Sequence, residues 1–300
     1  MSQSPSMRAV APPVPLRSGY VLIDPSNLDS ETFASDLPML PCVPPTMCSV
    51  DDMMPHLIDV VALTPEQQSM LGTALLRESA CERPPVLCAW LDSTEDATTV
   101  ARHIARFLVG PGANGHLLFW RYHDPRVMAL TLSLFSPDQM EALLGPISDW
   151  RFAWCQRWWS ATGPGRAVDP LNGYRPAWPS PGQWASLDHS ELIGPVLWRL
   201  KERERMSDAQ CLQCQRHIDR VLHHAKRELK ISKHDDLTEY AFHGVRYGDA
   251  FHRHPKLVAA WPALAQAQLS WSDVRDLLDH NDYLALDEAV ELRDFTRKAA

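Results

Sequence analysis

The apolar run His116 to Tyr122, followed at once by Asp124-Pro125-Arg126-Val127, constrains this chain more than any other feature. A strand-like segment ends there and a helix must begin. Asp124 is of the residue type whose side chain accepts amide hydrogens at a helix start, and Pro125 suits the first helical position, where a missing N–H costs nothing. Val127, Leu130 and Leu134 then recur at helical spacing, which predicts one face laid on a sheet. Ser136 and Pro137 announce a second helix, with Gln139 placed to close a capping box, and Gly145-Pro146 stops it. Arg121, Asp124, Pro125 and Arg126 therefore read as a structural motif in which Asp124 caps the helix and an arginine fixes the strand end.

The preceding chain repeats this grammar. Gly19 to Ile23 predicts a first strand, and a Pro-rich linker follows with Pro38, Pro41, Pro44 and Pro45. His56 to Val61 is a second apolar run. Thr64-Pro65-Glu66-Gln67 opens a helix with Met70, Leu71, Ala74 and Leu75 on its buried side. Val86 to Leu91 is apolar on both faces and so central in a sheet. Ser93 or Asp92 is expected to cap the next helix, which buries Val100, Ile104, Phe107 and Leu108. Strands alternating with capped helices define an α/β lobe, a small sheet with flanking helices, over residues 19–150. Residues 1–18, punctuated by prolines and lacking a continuous apolar stretch, are expected to form a disordered tail and not a signal peptide.

Residues 151–198 carry Pro and Trp in an irregular pattern and read as a connector, although Trp150, Phe152, Trp154 and Trp158 alternate as a strand does. Residues 199–300 read as an all-α lobe. Ser207 with Gln210 starts a helix reaching about Lys230, whose apolar face carries Leu212, Ile218, Val221, Leu222, Ala225 and Leu229. Further helices are expected over Asp235 to Arg246, from Ser270 with Asp273, and over Tyr283 to Arg297.

Composition removes several function classes. A net charge of -8 offers no global basic field for a nucleic-acid backbone. Residues 199–233 carry ten Lys or Arg against five Asp or Glu, but the stretch lacks the aromatic platforms that single-strand recognition uses. No apolar run approaches the roughly 20 residues of a membrane-spanning helix. Seven irregularly spaced cysteines are not a disulfide framework. Reduced thiols in a cytoplasm are the simpler expectation.

The sentence Phe119-Trp120-Arg121-Tyr122-His123-Asp124-Pro125-Arg126-Val127 resembles the RFYDPRV-type core of the type VI secretion effector chaperones, also called effector adaptors. Tyr20-Val21-Leu22-Ile23-Asp24 is similar to the family's opening strand, Pro55-His56-Leu57-Ile58 to its second, and Leu144-Gly145-Pro146-Ile147 follows at the usual distance. Gly244 to Phe251 and the later Pro255 are similar to its tail. His123 stands where the family often has an aromatic residue. The resemblance implies a bacterial cytoplasmic protein without enzymatic activity or cofactor. Its partners would be the N-terminal segment of a cognate toxic effector and a VgrG-type spike protein, with neither nucleic acid nor membrane among them.

Trp154, Trp158, Trp159, Trp178 and Trp184 are the candidate effector-binding residues, because tryptophan combines large apolar area with one N–H donor. A cleft between the two lobes is their expected setting, and their competing role is to fill the seam between those lobes. Cys211-x-x-Cys214-x-x-His217 is suggestive of zinc, yet no second CxxC completes the pattern, so the cysteines read as core hydrophobes and no metal site is expected. The alternative function is an α/β enzyme acting on a small molecule near His123 and Asp124, at the end of a strand feeding a helix. That reading requires titratable groups that converge and face solvent. The sequence contains no G-x-S-x-G, no G-x-x-x-x-G-K-[ST] and no H-E-x-x-H.

Overall fold

The computed structural model describes residues 7–27, 37–45, 47, 53–78, 84–112, 116–167, 177–201 and 206–299, with side chains described to residue 290. It divides into two compact units, Met1–Leu187 and Asp188–Ala300. The first combines a sheet with helices, and the second is all-α, as the sequence predicts.

In the first unit, β1 (Arg8–Val10), β2 (Tyr20–Ile23), β3 (Leu40–Pro41), β4 (His56–Asp59), β5 (Leu87–Ser93), β8 (Ile147–Trp154) and β9 (Arg157–Thr162) form one sheet of order β1-β9-β8-β5-β2-β4-β3. Every pairing is antiparallel. β5 is the middle strand, which explains its unbroken apolar run. Strand alternation then sends Val21, Ile23 and Ile58 to one face, where they bury Leu71 and Leu75 of α1 (Pro65–Glu78). Tyr20, Leu22, Leu91 and Trp150 point to the other face, as their paired registers require. There α3 (Pro125–Leu134) and α4 (Pro137–Leu144) pack on β8, while α2 (Ala97–Leu108) packs on β3 and β4.

Several expectations need correction. The run His116 to Tyr122 is not a strand of the main sheet: only Leu117–Phe119 is extended, as β7, and it pairs with β6 (Val109–Pro111) in a separate hairpin. The side chains of β7 are exposed, whereas Trp120 and Tyr122 at the end of the run are buried. α2 is capped by Asp96, whose carboxylate accepts from Thr99 N at 2.9 Å, because Ser93 is still part of β5 and donates to the Pro146 carbonyl. The N-terminal tail is ordered from residue 7, and Arg8–Val10 pairs with Trp158, Trp159 and Ser160 at the sheet edge; residues 1–6 lie outside the described ones. Within the Pro-rich linker, Leu40–Pro41 is an edge strand, a position that tolerates a residue with no N–H.

The connector assigned to 151–198 is divided. Residues through Thr162 belong to the β8–β9 hairpin, α5 (Pro181–Leu187) closes the first unit, and the boundary falls after Leu187. Residues 168–176 lie outside the described ones. α3 buries Met128, Ala129, Leu130, Thr131 and Leu132, whereas Val127 and Leu134 are half-buried. The expected single stripe is wider because β8 and α5 cover α3 from two sides.

In the second unit, α6 (Ser190–Lys201), α7 (Asp208–Arg227) and α8 (His234–Tyr247) pack on one another. The short α9 (Asp249–His252), α10 (Pro255–Ala265), α11 (Trp271–Arg275) and the terminal α12 (His280–Ala299) follow. Capping boxes at Ser207/Gln210 and Ser270/Asp273 start α7 and α11 as the sequence predicts. Tyr240, Phe251 and Trp271 meet edge to face at 5.1–6.0 Å in its core. Among the described residues no helix is long and apolar enough to cross a membrane.

Candidate functional site

The Arg121–Arg126 motif lies where the β6–β7 hairpin hands the chain to α3. Asp124 Oδ1 accepts from Arg126 N at 2.9 Å and caps α3, with Pro125 in the first turn. The same carboxylate takes a forked contact from the Arg126 side chain, Nε to Oδ1 at 3.0 Å and Nη2 to Oδ2 at 2.6 Å. Every strong acceptor direction of Asp124 is thus consumed locally. Arg121 reaches elsewhere, donating from Nη2 to Oδ2 of Asp24 at 2.5 Å.

Asp24 is the residue the sequence reading missed. It ends β2, and its Oδ1 accepts from the Ser26 amide at 3.0 Å and the Ser26 hydroxyl at 2.6 Å, while His123 Nε2 stands 3.1 Å from Oδ2. Burial alone pushes the Asp24 carboxyl up, but the His123 hydrogen bond and charge, Ser26 and Arg121 outweigh burial and hold it well below the usual carboxylate range. The signal the sequence offers is Asp24-Pro25 directly after the first strand. Titratable groups therefore do converge here, but the carboxylates and the imidazole face inward: His123 is 1% exposed and Asp24 and Asp124 are each 2% exposed, while the Arg121 and Arg126 side chains reach solvent.

The five candidate tryptophans do not form one surface. Trp154 and Trp159 share a sheet face with ring centroids 6.2 Å apart, and Trp158 points to the opposite face into the α1 core. All three are buried. Trp178 and Trp184 are half-buried and stack edge-on against each other at 5.5 Å and against Trp120 at 5.9 and 6.0 Å. Trp178 Nε1 donates to the Pro111 carbonyl at 2.9 Å, tying this group to the β6–β7 hairpin. Beside it, β7 exposes Leu117 at 68% and Phe119 at 40%, a feature the sequence reading took for a sheet strand.

On α7, Cys211 is buried and Cys214 half-buried. Burial fits the expected role of small hydrophobes for Cys211 and less fully for Cys214. In the basic stretch 199–233, residues 202–205 lie outside the described ones, and Arg216, Arg220 and Arg227 are exposed.

Residues 46–142 match a family model described as a domain of unknown function, DUF4123. The match takes in β4, α1, β5, α2, the β6–β7 hairpin, the Arg121–Arg126 motif and most of α4; it excludes β2 and Asp24. No curated protein and no solved structure matches the chain.

Proposed function

We propose that this chain is a type VI secretion effector chaperone, an adaptor that holds a cognate toxic effector through its N-terminal segment and loads it onto a VgrG-type spike in the bacterial cytoplasm. The observation that carries the reading is the ordered set of sequence resemblances centred on Arg121 to Val127, a motif that lies inside the matched segment 46–142. The geometry of that motif supports a structural role. Asp124 is spent on the α3 cap and Arg126, and His123 is 1% exposed, whereas an enzymatic site there calls for solvent-open groups.

Cargo binding falls to apolar surface that remains available. Trp178 and Trp184, with Leu117 and Phe119 of β7, offer such a surface beside one another, and the apolar face of an amphipathic effector segment is its complement. Trp154, Trp158 and Trp159 contribute by stiffening the sheet. The test is coexpression with the effector encoded beside this chain: the effector is expected to copurify and stay in solution, and to lose both properties when its N-terminal segment is removed. An effector that is equally soluble and unbound in the presence of the chain overturns the reading.

A further inference from the structure

The second unit brings together side chains for which the adaptor reading has no use. His189 immediately precedes α6, where its backbone carbonyl accepts from the amides of Leu192 and Ile193 at 2.9 and 3.1 Å. Asp219 and His223 stand four residues apart on α7, so the helical repeat puts both on one face. Packing of α6 on α7 brings His189 against that face. His189 Nδ1 lies 2.7 Å from Asp219 Oδ1, His223 Nε2 lies 3.7 Å from the same oxygen, and the two imidazoles meet edge to face at 4.7 Å. One potential donor atom from each of the three residues falls within 4.8 Å of the others.

We propose that His189, Asp219 and His223 bind one divalent transition-metal ion of the zinc class, which staples the start of α6 to the middle of α7. Donors at zinc distances in a tetrahedron are roughly 3.3 Å apart. The 2.7 and 3.7 Å separations from Asp219 Oδ1 bracket that value and all three donors lie within 4.8 Å of one another, so seating the ion draws the two imidazoles around the carboxylate. Two imidazoles and a carboxylate are a donor set that zinc accepts and that magnesium and calcium, which favour all-oxygen shells, do not. A route in exists: the His223 side chain is 25% exposed, against 1% for His189 and 12% for Asp219.

A second observation points to the same place. Gln215 lies one turn before Asp219 on the same α7 stripe, is 1% exposed, and has neither Oε1 nor Nε2 in a hydrogen bond. A buried amide left unpaired is costly and uncommon. A metal ion, or a water bound to it, gives that oxygen a partner and the ion a fourth donor. Cys211 and Cys214, the thiols on the same helix, are not part of the group.

The experiment uses the full chain, stripped with EDTA and dialysed. Titration with zinc chloride, followed by calorimetry and thermal denaturation, is expected to show one zinc per chain and a rise in the midpoint of at least about 5 °C at saturation. Cobalt(II) is expected to give the visible absorption of a four-coordinate site, and millimolar magnesium to leave it unchanged. His223→Ala, a change at the most exposed ligand, is expected to weaken zinc at least about 30-fold and abolish the cobalt spectrum, while His224→Ala on another flank leaves both intact. Should His223→Ala fail to fold, the near-isosteric Asp219→Asn and His223→Gln carry the same expectation. Zinc uptake that survives these changes, or the lack of a 1:1 site in the unaltered chain, overturns the proposal and leaves the three residues as a hydrogen-bonded His–Asp–His group.

Discussion

Arg121 Nη2 and Asp24 Oδ2 meet at 2.5 Å across 97 residues of chain, locking the end of β2 to the segment that starts α3. His123 and Ser26 complete the shell around the same carboxylate. Removing the charge leaves two inward donors without their counterpart, so Asp24→Asn is expected to destabilise the chain by about 3 kcal/mol. Arg121→Ala is expected to cost about 1 kcal/mol, because that guanidinium is already 39% exposed and the carboxylate retains His123 and Ser26. Urea denaturation of the two variants checks the order, with the midpoint moving and the slope constant.

The same carboxylate sets the low-pH limb of stability. Its folded pKa lies below the ordinary 3.8, so the unfolded chain takes up the proton first. The stabilisation is complete above about pH 5 and is lost progressively as pH falls through 3.8 and below. Acid unfolding followed by intrinsic tryptophan fluorescence is expected to begin at higher pH in Asp24→Asn than in the unaltered chain.

A second acid-sensitive contact lies at the end of α4. His103 Nε2 is 2.9 Å from the Leu143 carbonyl, and burial pushes its pKa down from 6.5 to about 4, with Arg106 adding to the effect and the Leu143 bond opposing it. A depressed histidine favours the fold in its neutral form. The unfolded chain binds the proton first, so this stability is complete above pH 6.5 and declines towards pH 4. The shift corresponds to about 3 kcal/mol over that interval. His103→Gln, which cannot titrate, is expected to flatten the urea midpoint between pH 6.5 and 4.5 while leaving the response below pH 4 in place.

Gly145 shares that contact. It ends α4 at a φ of 47°, in the region that disfavours a side chain, and a Cβ there falls on the His103 ring. Gly145→Ala is expected to cost about 2 kcal/mol or more, since it adds backbone strain to the displacement of a buried imidazole. The double variant with His103→Ala is expected to recover the steric part and not the strain, so a double-mutant cycle by thermal denaturation separates the two.

Local grammar explains what was legible. Thr64/Gln67, Ser136/Gln139, Ser207/Gln210 and Ser270/Asp273 mark their helices because a capping box is a contact between neighbours three residues apart. Val86 to Leu91 announced the central strand because only a doubly covered strand is apolar throughout. What failed was non-local. Nothing near His116 to Tyr122 distinguishes an exposed hairpin strand from a sheet strand, since exposure depends on which elements pack there. Nothing near Arg8 to Val10 says that β9, 150 residues later, will pair with it. Asp24 acquires its importance from Arg121 and His123, and the His189, Asp219 and His223 group from the packing of two helices. A sequence displays its turns and caps, but not the contacts that close over a hundred residues.

The exposed apolar strand supplies the sharpest test of cargo binding. Leu117 and Phe119 are 68% and 40% exposed, so replacing both with serine removes apolar surface without opening a cavity. The double variant is expected to keep the circular-dichroism spectrum and thermal midpoint of the unaltered chain. Interface anchors of this kind commonly contribute 2 kcal/mol or more, so effector retained in a coexpression pull-down is expected to fall by about 30-fold. Trp178→Ala and Trp184→Ala are expected to lower retention as well, but with some loss of stability, because both rings also cover the buried Trp120. Trp159→Ala, whose ring is 1% exposed, is expected to lose the fold and the effector together. Undiminished retention by the Leu117 and Phe119 double variant places the cargo elsewhere on the chain, and loss without unfolding locates it on this hairpin.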